Sequence, residues 1–145
     1  TPALAGVFCF RQRFFMIYSL LVLSSPTSGH GAITAAAFDN SAIGRGHTVH
    51  RVFFLDEGTR AGSAMAVIPQ DEADRLQPWV ELAEQFGVEL VLCISSALKQ
   101  GMLDETEAQR HARSGPSIHP AFIISGLGQL VDAAVNSDRL ITFGG

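Results

Sequence analysis

Cys93 is the residue of this sequence best placed for covalent chemistry. It comes near the end of the apolar run Val88-Glu-Leu-Val-Leu-Cys-Ile94 and is followed by Ser95 and Ser96. Such a run reads as a buried strand, and serine is a preferred residue where a helix begins. In open parallel α/β sheets, chemistry sits beyond the carboxyl ends of strands, at turns that lead into helices. There the unpaired N–H groups and dipole of a helix stabilise a thiolate, lowering a cysteine pKa from its free value near about 8.5. A thiolate so placed attacks sulfane sulfur, a disulfide or an electrophilic carbon. The competing account is packing, because free cysteine is among the most buried residue types. No histidine stands beside Cys93 in sequence to act as its base.

The other candidates have simpler readings. Cys9 and Cys93 are too few and too far apart for a disulfide framework, and neither forms a C-x-x-C pair. His30, His47, His50, His111 and His119 lack metal-ligand spacing, and His47 and His50 would point to opposite faces of a strand. These spacings argue against a metal enzyme. Ser28-Gly-His-Gly31 and Ser125-Gly-Leu-Gly128 each follow a strand and precede a helix, the setting in which anions bind. Neither matches a phosphate-binding fingerprint, and both read as tight structural turns. His30 could face the same rim as Cys93, though an exposed loop histidine is the plainer account. Asp104, Glu105 and Glu107 resemble paired carboxylates but fall in the first turn of a helix, where the dipole favours acids. Trp79, Phe53 and Phe54 read as core.

The elements that must position these residues alternate. Strands are expected at Ile17 to Leu23, His47 to Leu55, Val88 to Ile94, Ala121 to Ser125 and Arg139 to Phe143. Between them fall helices at Ala32 to Ile43, Asp71 to Phe86, Ser95 to Gln100 (one or two turns, with Ser95 or Ser96 as cap) and Leu127 to Val135. A further helix opens at Asp104, where Asp104-x-x-Glu107 has capping-box spacing. Asp56 to Pro69 reads as a loop with a fragment of helix, long enough to be functional. This order predicts a three-layer α/β fold, flavodoxin-like in outline, with a mainly parallel sheet of about five strands and helices on both faces.

With 145 residues the chain has room for one domain, and 47% apolar against 17% charged residues excludes a disordered tail. The formal charge of −4 argues against direct nucleic-acid binding. The apolar run Phe14 to Leu23 is half the length of about 20 residues that a membrane helix needs. Arg11 and Arg13 ahead of it, with small residues after it, fit a secretory signal. Its strand-forming Ile17, Tyr18 and Val22, leading into a turn and an alanine-rich helix, favour instead the first buried strand of a parallel sheet. Residues 1 to 15 then form an upstream extension, and 16 to 145 the single domain. Removing the extension takes the charge from −4 to −6, because it holds two arginines and no acid.

The segment Cys93-Ile-Ser-Ser-Ala-Leu-Lys-Gln-Gly-Met-Leu-Asp-Glu-Thr-Glu-Ala108 resembles that around the active cysteine of the TusD and DsrE proteins of the sulfur-relay family. The resemblance extends to Gly46-His47, Arg51-Val-Phe-Phe54 and Pro69-Gln-Asp71, then to Ile118-His-Pro120, Ser125-Gly-Leu-Gly-Gln-Leu130 and Asp138-Arg-Leu140. It covers Met16 to Gly144. It implies a compact α/β subunit that carries sulfur as a persulfide on Cys93, with no metal or organic cofactor. It also implies a cytoplasmic heterohexamer with TusB/TusC-like or DsrF/DsrH-like subunits, a TusA-like donor and a TusE- or DsrC-like acceptor. In the TusD branch the sulfur goes to 2-thiouridine of tRNA, through a later enzyme; in the DsrE branch it belongs to dissimilatory sulfur oxidation. The chain departs from the pattern at Leu55, where an aromatic often follows the Phe pair. Ser95-Ser96 replaces a more alanine-rich run, and Lys99-Gln100 a more basic pair. Two readings of other classes remain open beside it: a non-catalytic scaffold with an inert Cys93, and a small-ligand-binding domain that uses the glycine turns.

Overall fold

The structure is a computed structural model that describes residues 15–144. The expected extension over residues 1 to 15, with Cys9, lies outside the described residues except for Phe15, whereas most of the apolar run also read as a secretory signal is described and forms the strand Ile17–Val22. Five strands, β1 (Ile17–Val22), β2 (Thr48–Phe54), β3 (Glu89–Cys93), β4 (Phe122–Ser125) and β5 (Arg139–Phe143), form one sheet in the order β4-β3-β2-β1-β5. Every pairing is parallel. Five α-helices connect them: α1 (Gly31–Gly44), α2 (Gln77–Phe86), α3 (Ile94–Lys99), α4 (Glu105–Arg110) and α5 (Gly128–Val135). A 3-10 helix over Asp56–Gly62 opens the long β2–α2 connection.

The strand order dictates the layers. From β1 to β4 the chain steps in one direction, and right-handed crossovers put those connections on one face. The return from β4 to β5 reverses direction, so α5 lies on the other face. The core divides accordingly. Leu20, Val22, Val52, Phe54, Leu90 and Leu92 pack with Ala32, Ala35 and Ala36 of α1 and with Trp79 and Leu82 of α2. Phe53, Val91 and Cys93 form a smaller cluster on the opposite face, against which Leu130 of α5 packs. Among the described residues that face has a single helix. Leu127, at the N-cap position of α5, and Val131 and Val135 along it, spaced four apart, remain exposed, as does Ile123 of β4.

Two local expectations are corrected. The helix expected over Asp71 to Phe86 begins only at Gln77. Pro78 belongs in a first turn because its ring clashes with a preceding helical turn, and the Asp74 carboxylate accepts from the N–H groups of Leu76 and Gln77 (2.8 and 3.2 Å). Neither Ser95 nor Ser96 caps α3; Cys93 itself holds the N-cap position and both serines lie in the first turn. Asp104 does cap α4, accepting from the Glu107 N–H at 2.8 Å. Glu107 is buried and paired with Arg110 at 2.9 Å, so this acidic group is helix chemistry.

Candidate active site

Cys93 occupies a particular place in this topology. The connection after β3 turns toward the α1/α2 face, and the connection after the neighbouring β4 turns toward the α5 face. Adjacent strands whose following loops diverge open a crevice at their carboxyl ends, where doubly wound folds bind ligands. Cys93 is the last residue of β3 and pairs in register with Ser125, the last residue of β4. The turn Ser125-Gly-Leu-Gly128 therefore lies beside the thiol. At Gly126 and Gly128 an added Cβ would meet nothing within 4 Å, so packing does not demand these glycines. The other glycine turn is structural: an added Cβ at Gly31 would collide with Ser24 Oγ, and Gly29 has a positive φ of 70°. His30 occupies the N-cap position of α1 after β1, two strands away from β3, with an exposed side chain.

The residue is 1% exposed, yet its sulfur is not in a purely apolar setting. Ser95 Oγ lies 3.5 Å from Cys93 Sγ, within reach of a hydrogen bond to sulfur. Burial pushes the thiol pKa up. Hydrogen bonds from the Ser95 hydroxyl, the Ser96 and Ser95 backbone N–H groups and the Ser96 hydroxyl outweigh it, leaving the thiol below the ordinary cysteine value. Ser96 also ties the site to its neighbour, because its hydroxyl accepts the Asp56 N–H at 3.0 Å. Asp56 has a φ of 52°, and its carbonyl accepts from the Thr59 hydroxyl at 2.8 Å. The strand-to-helix turns after β2 and β3 are thus bonded to one another at the rim where the thiol sits.

One polar arrangement on the Cys93 side of the sheet is not legible in the sequence. Arg51 of β2 is 5% exposed and holds three acceptors: Glu89 of β3 at 2.6 Å, and Asp132 and the Gln129 carbonyl of α5 at 2.7 and 2.9 Å. It fastens α5 to the sheet on the Cys93 side. The Arg51 hydrogen bond holds the Asp132 carboxyl below the usual carboxylate range. A register shift inserts His50 opposite the Tyr18–Ser19 step, so two successive residues of β2 reach the same acid: His50 Nε2 lies 3.6 Å from Asp132. His47 lies on the opposite face, edge-on to Tyr18 and accepting the Met16 N–H at 3.0 Å. The available signal is an arginine directly before the apolar run Val52-Phe-Phe54 of a strand, since a buried arginine requires partners.

The fold and site define a class, a small all-parallel α/β subunit with a covered thiol where two neighbouring connections part. The chain belongs to the DsrE/DsrF-like family, whose model matches residues 16–143. It is 40% identical over 125 residues to a "Sulfurtransferase TusD homolog" of Pseudomonas aeruginosa, covering 86% of this chain and 95% of the relative. It is 39% identical over 129 residues to a protein named "Putative sulfurtransferase DsrE" of Allochromatium vinosum, covering 89% and 99%. The "Sulfurtransferase TusD" of Serratia proteamaculans is 38% identical over 129 residues, covering 88% and 100%. The crystal structure of the ychN protein from E. coli shares the fold, with a TM-score of 0.67 and 16% identity over 90% of this chain and all of that one.

Proposed function

We propose that this chain is a sulfur-relay sulfurtransferase subunit that carries sulfane sulfur as a persulfide on Cys93. The supporting observation is a hydrogen-bonded thiol at the diverging β3/β4 turns, in a chain that matches curated sulfurtransferases over nearly their whole length. In the loading step the Cys93 thiolate attacks the outer sulfur of a donor persulfide, and an acceptor thiol later takes that sulfur. A sulfur–sulfur bond is about 2.0 Å long, so the carried atom extends beyond the covered Sγ. The transfer itself requires access and thiolate stabilisation, and the residues around Cys93 supply the second.

The principal reading is the TusD-like one, a cytoplasmic subunit that relays sulfur toward tRNA 2-thiouridine without itself touching tRNA. A TusA-like protein would donate and a TusE-like protein accept. A DsrE-type subunit of sulfur oxidation shares the chemistry with a DsrC-like acceptor, and near-equal identity to both relatives supports keeping it. Assembly with TusB/TusC-like or DsrF/DsrH-like subunits, as a heterohexamer, is supported by the exposed row Leu127, Val131 and Val135, since contiguous apolar surface marks interaction sites. Among the described residues no helix is long and apolar enough to cross a membrane. Residues 16 to 145 would form the single domain, with 1 to 15 an extension outside it.

The test is intact mass after incubation with a sulfane-sulfur donor. The expected result is a gain of about 32 Da, one sulfur atom, that is lost in Cys93→Ser. The serine variant supplies the background from Cys9. No gain, under conditions that load a control carrier, rejects the proposal and favours the scaffold reading. Tight nucleotide binding with Cys93 resistant to alkylation would favour the small-ligand reading.

A further inference from the structure

We propose that the Ser95 hydroxyl is a catalytic group of the transfer reaction, holding negative charge on Cys93 Sγ when the thiolate attacks and again when it leaves. The inference rests on the carrier reading of Cys93 and adds a second residue in contact with the reacting atom.

The two serines after the cysteine have different commitments. Ser96 is buried, and its oxygen takes the Asp56 N–H at 3.0 Å. Ser95 is exposed, and among the described hydrogen bonds its Oγ has Cys93 Sγ, 3.5 Å away, as its partner. While the sulfur is a thiol, either atom can donate. Once it is a thiolate it has no proton, and the serine must be the donor. Hydrogen bonds to a charged partner are about twice as strong as neutral ones, so the contact strengthens as charge appears on the sulfur.

In loading, the Cys93 thiolate attacks the outer sulfur of a donor persulfide. The new sulfur–sulfur bond forms, the donor's own breaks, and the electron pair departs on the donor thiolate. In discharge, an acceptor thiolate attacks the same outer sulfur, the bond to Sγ breaks, and its electron pair returns to Sγ. The acceptor becomes the persulfide, and nothing is oxidised or reduced overall. A leaving thiol of lower pKa departs faster, whereas an attacking thiolate loses only part of its nucleophilicity as its pKa falls. The Ser95 hydrogen bond therefore favours discharge, and at neutral pH it also enlarges the thiolate fraction for loading. A serine present only for helix structure would produce neither effect.

The experiment compares the full chain with Ser95→Ala and Ser95→Thr, using Cys93→Ser for the Cys9 background. Iodoacetamide alkylation of Cys93 is followed by mass across pH, and discharge of sulfur-loaded protein to a small thiol is timed. Alanine should raise the midpoint of the alkylation profile by about one pH unit and slow discharge several-fold. Threonine, which keeps the hydroxyl, should stay near the parent in both. An exposed helical position tolerates alanine, so the variant keeps its fold. An unchanged midpoint and discharge rate in the alanine variant would overturn the proposal, as would a threonine variant that behaves like alanine. The alkylation arm involves no sulfur transfer, so failure of the parent chain to load identifies failure of the carrier reading separately.

Discussion

At the scale of single residues, the hydrogen-bonding inventory separates two buried acids. Cys93 is covered but has the Ser95 and Ser96 donors beside its sulfur, and these outweigh burial and lower its pKa. Asp39 of α1 has the opposite setting: it is fully buried, and neither carboxylate oxygen has a hydrogen-bond partner among the described residues. Burial pushes its pKa up to about 8. A carboxyl whose pKa is higher folded than unfolded keeps its proton in the native state while the unfolded chain has lost it. Stability on this account is fully present below about pH 4 and falls as pH rises to about 8. Asp39→Ala should therefore raise the melting temperature at pH 8 more than at pH 5, with a gain of roughly 1–3 kcal/mol at the higher pH. Melts of both proteins at the two pH values check this, and an equal shift at both contradicts it. The position of Cys93 was legible in the sequence because an apolar strand ends there. The contact of Ser95 was not, because a serine after a strand also fits a helix cap. Asp39 was silent because α1 is alanine-rich on several sides, which leaves little polarity contrast to say which side faces inward.

At the scale of elements, strand positions were legible to within a residue or two, because β-branched and aromatic residues between glycines mark them. The start of α2 was misread because apolar periodicity continues across Asp71–Leu76, whereas Pro78 limits how far back the helix can extend. The 3-10 helix after β2 could be suspected only as a fragment, and its tight docking came from the structure. A Cβ on Gly58 would collide with the Val22 carbonyl oxygen, so this helix rides directly on the end of β1. Gly58→Ala should cost roughly 1–3 kcal/mol through forced backbone displacement, read as a lower denaturation midpoint. It should also disturb the turn that Ser96 holds through Asp56, so the rate of Cys93 alkylation is a second readout. An alanine variant with parental stability would show that this contact relaxes freely. Arg51 was missed for a related reason: sequence showed one cation in a strand, and only folding brings Glu89 and α5 to it.

At the scale of the whole molecule, alternation of elements predicted a parallel α/β sheet, and the described sheet is parallel throughout. Strand order was not legible, since helix-sized connections permit several orders. That order is what brings β3 and β4 side by side with diverging connections and places Cys93 where they part. Among the described residues it also leaves one face with α5 alone. A chain ended after Asn136 would leave one edge of β1 unpaired, and unpaired edges template association. Such a truncation should aggregate and lose its cooperative melt, as measured by light scattering and circular dichroism. A monomeric truncated protein with a sharp transition would contradict this.

The placement of β5 has a further consequence, in time. Strands β1 to β4 can pair with their neighbours in the order in which synthesis delivers them. The interior strand β1 acquires its second neighbour only when residues 139 to 143 arrive, and α5 precedes them by a few residues. The side of the sheet bearing Cys93 is thus closed after the other, because Leu130 of α5, which packs on the Cys93 cluster, is made only after β1 to β4.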